Sequence, residues 1–518
     1  MAHITLYNIL ISCFVTLGSG SYGYGFAVFP TSTGQPGFYT YFDLDSESSY
    51  TANILGAMNA LFNLGLALGA LAQGWLADRV GRKKAFMLAS VCALVGAALV
   101  SGSVAIGMLI TVRLLHGFGL GMLIGLVPLY LAETAPARSR GLLLCINTSS
   151  ISLGYFVCAW ISVGTYYSVN ETLRWRMPLA LACVGPLVMT LGLPFIPGRL
   201  SSPFPITPAD RTLSESPRYL ALVGRKDEAW EVVRTIHRDP NDFEDEAARA
   251  EFTQIIRQTD YDKELGYGYV KMFTRPSWRR RSLLAMFLMF AVQSTGVLGI
   301  TNFLILIFQN LGMKNAMPLV LYGVYASAGV VWVVIGMLIC DRIGRRKLLV
   351  AGFIGQGLTL LIEALLQWRY LDSHNQPGLS ACVAFLFLYM LFFNMCTDGP
   401  SWAWMAEVFP TTARSRGIGL GLFSYFVGTI TYTTPGALAF RNIKYNMFYL
   451  YFGLCMISAV VIYLYIPETR HVPVEELGAL FGDAVVVHLT ADGHGIVEDK
   501  KPVAELVEEV ILDRKASA

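Results

Sequence analysis

Twelve runs of roughly twenty predominantly apolar residues fill this chain, and about twenty such residues is what an α-helix needs to cross a bilayer. They fall at about 4–30, 51–75, 84–104, 107–131, 140–164, 177–197, 282–311, 317–340, 348–369, 380–405, 416–440 and 446–466. Lipid offers no hydrogen bonds, so every backbone N–H and C=O must be satisfied within the segment, and runs of this kind fold as helices. The composition agrees: 54% of the 518 residues are hydrophobic and only 14% charged, where soluble domains average roughly 25% charged. A soluble multidomain enzyme, a disordered scaffold and a small disulfide-stapled secreted fold are excluded. The expected fold is an all-α membrane protein. The first run is too long for the apolar core of a signal peptide and is read as retained. A net charge of +3 is no nucleic-acid footprint. The expected partners are the lipid bilayer and a small solute, with no nucleic acid. The nine cysteines lie in apolar runs and form neither a CxxC pair nor ligand spacing with histidine. No metal and no cofactor are expected.

The short loops set the orientation. One set carries Arg79, Arg82, Lys83 and Lys84, then Arg138 and Arg140, then Arg342, Arg345, Arg346 and Lys347, then Arg414 and Arg416. The alternate set is poor in Lys and Arg. The positive-inside rule places the first set in the cytoplasm, with both termini and the long central loop. The sequon Asn170-Glu171-Thr172 then lies outside.

The chain is duplicated. Asp78-Arg79-Val80-Gly81-Arg82-Lys83-Lys84 recurs as Asp341-Arg342-Ile343-Gly344-Arg345-Arg346-Lys347. Ala137-Arg138-Ser139-Arg140-Gly141 recurs unchanged as Ala413-Arg414-Ser415-Arg416-Gly417, and Glu133 and Glu407 precede the two copies. Two echoes in one order divide the chain into two related halves of six spans. The expected units are 1–198, a cytoplasmic loop with short helices over 199–281, 282–466, and a cytoplasmic tail over 467–518. Parallel six-helix halves are a transporter architecture, with the solute bound near the midplane between them. In each basic loop the glycine permits a tight turn, and the aspartate can pair with arginines at a helix end. Such a cluster can lock one face and must break when the halves rock; the alternative is a merely solvated positive-inside loop.

From the first span to about residue 480 the sequence resembles the sugar porter family of the major facilitator superfamily. The resemblance rests on Gly74-Trp75-Leu76-Ala77-Asp78-Arg79-Val80-Gly81-Arg82-Lys83 in the first basic loop, and on Arg113 with Gly117, Gly119 and Gly121 in the fourth span. Pro128, Tyr130, Glu133, Pro136, Arg140 and Gly141 match the exit from that span. Glu215-Ser216-Pro217-Arg218 matches the central PESPR box, with Ser214 where proline is expected. Trp402, Glu407, Pro410 and Arg416 match the tenth helix and its exit, and Pro467-Glu468-Thr469-Arg470 matches the ending. The resemblance implies the major facilitator fold: twelve transmembrane helices in two pseudo-symmetric six-helix bundles. It also implies a gate in which Glu133 and Glu407 pair with Arg82, Arg140, Arg345 and Arg416, joined by Asp78 and Asp341 of the repeated loops. Arg113, an intramembrane charge, should face protein rather than lipid.

The solute site departs from the family. The seventh helix reads Val292-Gln293-Ser294-Thr295-Gly296-Val297-Leu298, then Asn302 and Phe303, so one glutamine, an asparagine and a tyrosine pair are missing. Gln293 as polar anchor and Trp402 as a flat stacking face are the first candidates for solute contact. Asn147, Thr148, Asn302, Tyr425 and Thr429 are the further candidates; for each, hydrogen bonding between helices is the alternative. A hexose needs several fixed partners, because its hydroxyls lose water on entry.

The expected function is a carrier moving a sugar or related polyhydroxylated solute by alternating access in the plasma membrane. No catalytic constellation and no phosphate-binding loop is present, so it is not an enzyme. A non-transporting sugar sensor on the same scaffold is the second reading, and it would call for a long signalling tail. Many sugar porters couple to protons through a Gly-Tyr-Asp triplet in the first helix. The matching triplet here is Gly23-Tyr24-Gly25. Facilitated diffusion is therefore expected, with proton symport through Asp398 as the rival and Glu363 as the other intramembrane carboxylate. The proline-rich stretch 199–213 interrupts the family pattern. It is read as a flexible insert without a role in transport or an unspliced intron, with a regulatory segment as the alternative.

Overall fold

A computed structural model of the chain describes residues 6–45, 48–134, 140–194, 215–236, 246–265, 268–371, 373, 375–410, 412–470, 476–482, 488–489 and 496–497. The 199–213 stretch and Arg138 lie outside the described residues, as does the side chain of Arg140.

Ten helical stretches are long and apolar enough to cross a bilayer. They are Ser49–Val80, Arg82–Ser101, Ile106–Thr134, Ile146–Tyr166 (within the helix Arg140–Tyr166), Glu171–Gly192, Pro276–Asn310, Met317–Ile343, Arg345–Tyr370, Gln376–Glu407 and Asn446–Tyr465. The helices Leu6–Thr33 and Arg414–Thr433 complete the twelve. Arg414–Thr433 has most of its residues buried within the protein. Facing other helices rather than lipid, it tolerates its glycines, serines and threonines. The spans are numbered first to twelfth below in chain order.

Within the first bundle the second span packs on the fourth, the first on the fifth and the third on the fourth. Within the second bundle the ninth packs on the twelfth and the tenth, and the seventh on the eleventh. The bundles meet along two seams, second span on eleventh and fifth on eighth, which the duplication makes equivalent. Glycine sets the closest approach. A Cβ at Gly69 would stand 2.1 Å from the Phe118 carbonyl oxygen, and one at Gly121 would stand 2.2 Å from that of Leu66. Backbones in such contact gain dispersion energy that lipid cannot replace.

Three spans expected to be continuous are interrupted midway. The sixth breaks between Leu181 and Val184. The seventh stops at Ser294 and resumes at Val297, with Gly296 at φ 84° between the two segments. That backbone region favours glycine, and a Cβ there would sit 2.5 Å from the Tyr451 ring. The Tyr389 hydroxyl donates to the Thr295 carbonyl at 3.1 Å, satisfying part of the freed backbone. In the tenth span a wide π turn, Phe393–Asp398, precedes Gly399–Glu407. Pro400 removes an N–H at that point, and π turns inside helices occur often at functional sites.

Between the bundles' sequences lie Pro217–Val223, Lys226–Ile236, Glu246–Leu265 and Tyr269–Thr274. Three of these helices share a small core of Ala221, Val233, Ala248 and Ile255, against which Trp230 and Phe252 pack.

Candidate functional site

Two constellations stand out: an ion-pair cluster at the basic-loop end and a cavity midway along the spans.

In the first bundle the repeated loop turns at Gly81, φ 91°. Beyond it Arg82 binds Glu133 with two parallel bonds, Nε to Oε2 at 3.0 Å and Nη2 to Oε1 at 2.7 Å. Arg82 Nη1 donates to the Ala77 carbonyl at 2.9 Å and stands 3.6 Å from Asp78. The backbone N–H groups of Arg82 and Lys83, the unsatisfied start of the third span, donate to Glu215 at 2.8 and 3.3 Å. Burial pushes the Glu215 carboxyl above the ordinary glutamate range, and the Arg82 N–H pulls it back. Arg218 Nη1 donates to the carbonyls of Ala132 and Glu133.

The second bundle repeats the plan. Gly344 turns at φ 102°, and Arg345 Nη2 reaches Glu407 at 3.0 Å and Asp341 at 2.8 Å. Glu468 accepts the backbone N–H groups of Arg345 and Arg346 at 2.9 and 3.0 Å. Thr469 Oγ1 donates to Glu407 at 2.7 Å. Glu215 and Glu468 therefore do one job in the two halves: each carboxylate caps the helix that follows the basic loop.

The halves are tied together by Asp78. Its Oδ2 lies 3.2 Å from Arg416 Nη2, and Ser415 Oγ donates to both its oxygens at 2.8 Å. Gln73 Nε2 adds a bond to the Ser415 carbonyl at 3.1 Å. Asp78 and Arg416 are each nearly buried, where a charge pair is strong only because further hydrogen bonds complete it. The counterpart of Arg416 in the sequence repeat is Arg140, whose side chain lies outside the described residues. Tyr269 closes over this seam by donating to the Leu71 carbonyl at 2.7 Å.

The cavity encloses about 740 Å³ of empty space, adjoining solvent included. The first bundle contributes Tyr22, Ile151, Ser152 and Tyr155; the seventh span contributes Val297, Leu298 and Thr301 beside its break. The eighth adds Tyr322 and Tyr325, and the tenth and eleventh add Asn394, Asp398, Trp402 and Tyr425. Trp402 and Tyr425 rings are 5.8 Å apart at 55°, and the Trp402 indole N–H donates to Asp398 Oδ1 at 3.1 Å.

Of the residues expected to meet solute, Trp402 and Tyr425 line this cavity. Gln293 is buried just before the break, its amide beside the Tyr425 hydroxyl, and packs near Gly428 of the eleventh span. Asn302 is buried one turn beyond the break, and its amide has no partner among the described residues. Asn147 accepts a 2.5 Å bond from Ser19 between the fifth and first spans. Thr148 is buried, and Thr429 donates to the Tyr425 carbonyl of its own helix. The tyrosines of the first, fifth and eighth spans were not singled out in the sequence. Their spacing is that of any apolar helix, and only the meeting of three spans collects them.

Arg113 does face protein, its guanidinium 4.8 Å from the Phe29 ring and 4.6 Å from the Phe62 ring. Glu363 is buried in the ninth span and accepts from Gln367 at 2.6 Å, away from the cavity lining.

A family model described as "Sugar (and other) transporter" matches residues 11–204 and 205–481. The chain belongs to this sugar (and other) transporter family. Among its relatives, the MFS-type transporter criB of Aspergillus cristatus is 30% identical over 93% of this chain and 95% of its own. The high glucose sensor RGT2 of Saccharomyces cerevisiae is 26% identical over 92% of this chain and 61% of its own. The fold is that of the proton:xylose symporter XylE bound to 6-bromo-6-deoxy-D-glucose, with a TM-score of 0.78, 21% identity, and coverage of 92% of this chain and all of that one. As a member of the family this chain is a multi-pass membrane carrier of the sugar-transporter type.

Proposed function

We propose that the chain moves a sugar or related polyhydroxylated solute across the plasma membrane by alternating access, as facilitated diffusion, with both termini and the basic loops in the cytoplasm. The observation that supports this most is the midway cavity: both bundles wall it, and the Asp78–Arg416 cluster ties the two bundles to each other at the basic-loop end. Trp402 and Tyr425 offer the apolar faces on which a pyranose ring can lie, and Ser152, Thr301, Asn394 and the tyrosine hydroxyls offer hydrogen bonds. Gln293 and Asn302 stand behind the cavity wall at the helix break. They come into reach of solute if the seventh span's second segment swings. Alternating access follows if the loop cluster breaks as the halves rock about the two seams.

Facilitated diffusion fits the first span, where Gly25 stands against His116 and Leu120 in the place of a titratable group. Symport through Asp398 is the second reading, favoured by its position on the cavity wall. The test is uptake in cells lacking their own hexose carriers, with labelled hexoses, pentoses, disaccharides, polyols and quinate. One class should be taken up saturably, down its gradient, with no response to a protonophore. Accumulation above the external concentration that collapses with a protonophore decides for symport; no uptake of any of them sinks the sugar reading.

A further inference from the structure

Asp398 is a carboxylate in the middle of a membrane span, and the cavity it faces offers it no cation. Among the described residues lining that cavity there is no Lys, Arg or His. Among the described residues the carboxylate accepts from the Trp402 indole N–H, a neutral group that orients Oδ1 without cancelling its charge. Asp398 is only 8% exposed. A charge so placed demands a counter-charge, a proton or a water-filled path. Around it the walls are aromatic: Tyr22, Tyr155, Phe393, Trp402 and Tyr425. Ring faces carry negative potential and attract cations, most strongly where water is excluded. The neutral groups of the lining, Ser152, Thr301, Asn394 and five tyrosine hydroxyls, can serve the hydroxyls of a polyhydroxylated guest, and they leave the charge of the carboxylate uncancelled. A lone carboxylate in a ring of aromatic faces is the chemistry that recognises an ammonium group.

We propose that Asp398 is a cation subsite and that the carried solute bears a protonated amine, paired with Asp398 while its ring or apolar body lies on Trp402 and Tyr425. This rests on reading the cavity as the transport site and narrows the solute class within it. The loaded carrier then holds a neutral ion pair at midplane, and the empty carrier a lone carboxylate. The occluded state is accordingly easier to cross with amine bound than without. Nothing titratable in the protein has to change charge during the cycle, which agrees with facilitated diffusion.

The test uses the purified full-length protein in proteoliposomes at a pH where the amines are protonated. The probes are D-glucosamine against N-acetyl-D-glucosamine and D-glucose, and phenethylamine against N-acetylphenethylamine. Binding is read by tryptophan fluorescence and transport by counterflow. At least one amine should bind its site about tenfold or more tighter than its acetylated partner. That ratio should fall to about one in Asp398→Asn and survive in Asp398→Glu. In wild type the same amine should protect Asp398 from a hydrophobic carbodiimide, located by peptide mass, which keeps the idea testable if Asp398→Asn fails to assemble. Equal binding of amine and amide, a ratio unchanged in Asp398→Asn, or absence of protection overturns the proposal. Uptake of D-glucose without amine preference overturns it while leaving the carrier reading intact. So does proton-driven D-glucose uptake lost in Asp398→Asn, which makes Asp398 a proton site. Asp398-dependent binding of phenethylamine with no sugar bound supports the subsite and overturns the sugar reading instead.

Discussion

Asp78 and Glu407 are both gate carboxylates by sequence, yet their bonds run differently. Glu407 holds Arg345 and Thr469 of its own half, whereas Asp78 holds Ser415 and Arg416 of the other half. Asp78→Asn is therefore expected to raise labelling of a reporter cysteine at the basic-loop end more than Glu407→Gln does; equal labelling in the two would contradict the assignment. Arg82→Ala strands Glu133 without its two bonds, and breaking one side of a buried pair costs about 3–5 kcal/mol. The loss should appear as a large fall in thermal stability in detergent, with little recovered by Arg82→Lys, because an ammonium cannot make the parallel pair of bonds. Trp402→Ala should weaken apparent solute affinity about tenfold or more. Gln293→Ala, behind the wall, should do less, and the comparison of the two saturation curves checks the placement.

At the scale of elements, the breaks in the seventh and tenth spans are what bring a cavity and a carboxylate to the middle of the bilayer. The sequence shows Gly296 and Gly399-Pro400, but glycines are scattered through most of these spans. What makes Gly296 structural is its φ of 84° and the Tyr451 ring occupying the place a Cβ would take. Gly296→Ala adds about 1–2 kcal/mol of backbone strain plus the clash. It should lower both thermal stability and transport, whereas an alanine at the exposed Gly107, where a Cβ meets nothing within 4 Å, should leave both unchanged.

For the whole molecule, the second span touches the opposite bundle near both ends. A Cβ at Gly74 would lie 2.9 Å from the Ser415 carbonyl oxygen and 3.0 Å from Arg416 Cα, and one at Gly56 would lie 2.9 Å from the Thr434 carbonyl oxygen. Backbone atoms cannot swing aside as side chains do, so a methyl group at either place wedges the halves apart at that end. Gly74→Ala should raise accessibility at the basic-loop end and Gly56→Ala at the opposite end. Opposite shifts of two reporter cysteines check this; a change in the same direction in both variants would show loss of packing rather than rocking.

The run lengths by themselves determined that the chain is a bundle of twelve helices, because lipid leaves the backbone no other partner. The repeated basic loops marked two related halves and the charged residues that pair at one end of them, because charges at helix ends in a polar-poor chain have few things to pair with. The polar candidates inside the spans were a different matter. Asn147, Thr429 and Trp402 look alike in a sequence, each a lone hydrogen-bonding group on an apolar helix. Only the rotation of each helix in the packed molecule turned Asn147 to Ser19, Thr429 to its own backbone and Trp402 to the cavity. Asp398 likewise could cap a break or face solute, and which of the two depends on a wide turn that no periodicity announces. Helix formation is governed by neighbours along the chain and by the solvent, both written in the sequence. The side a residue faces is fixed by contacts between spans hundreds of residues apart, which exist only once the two bundles have met.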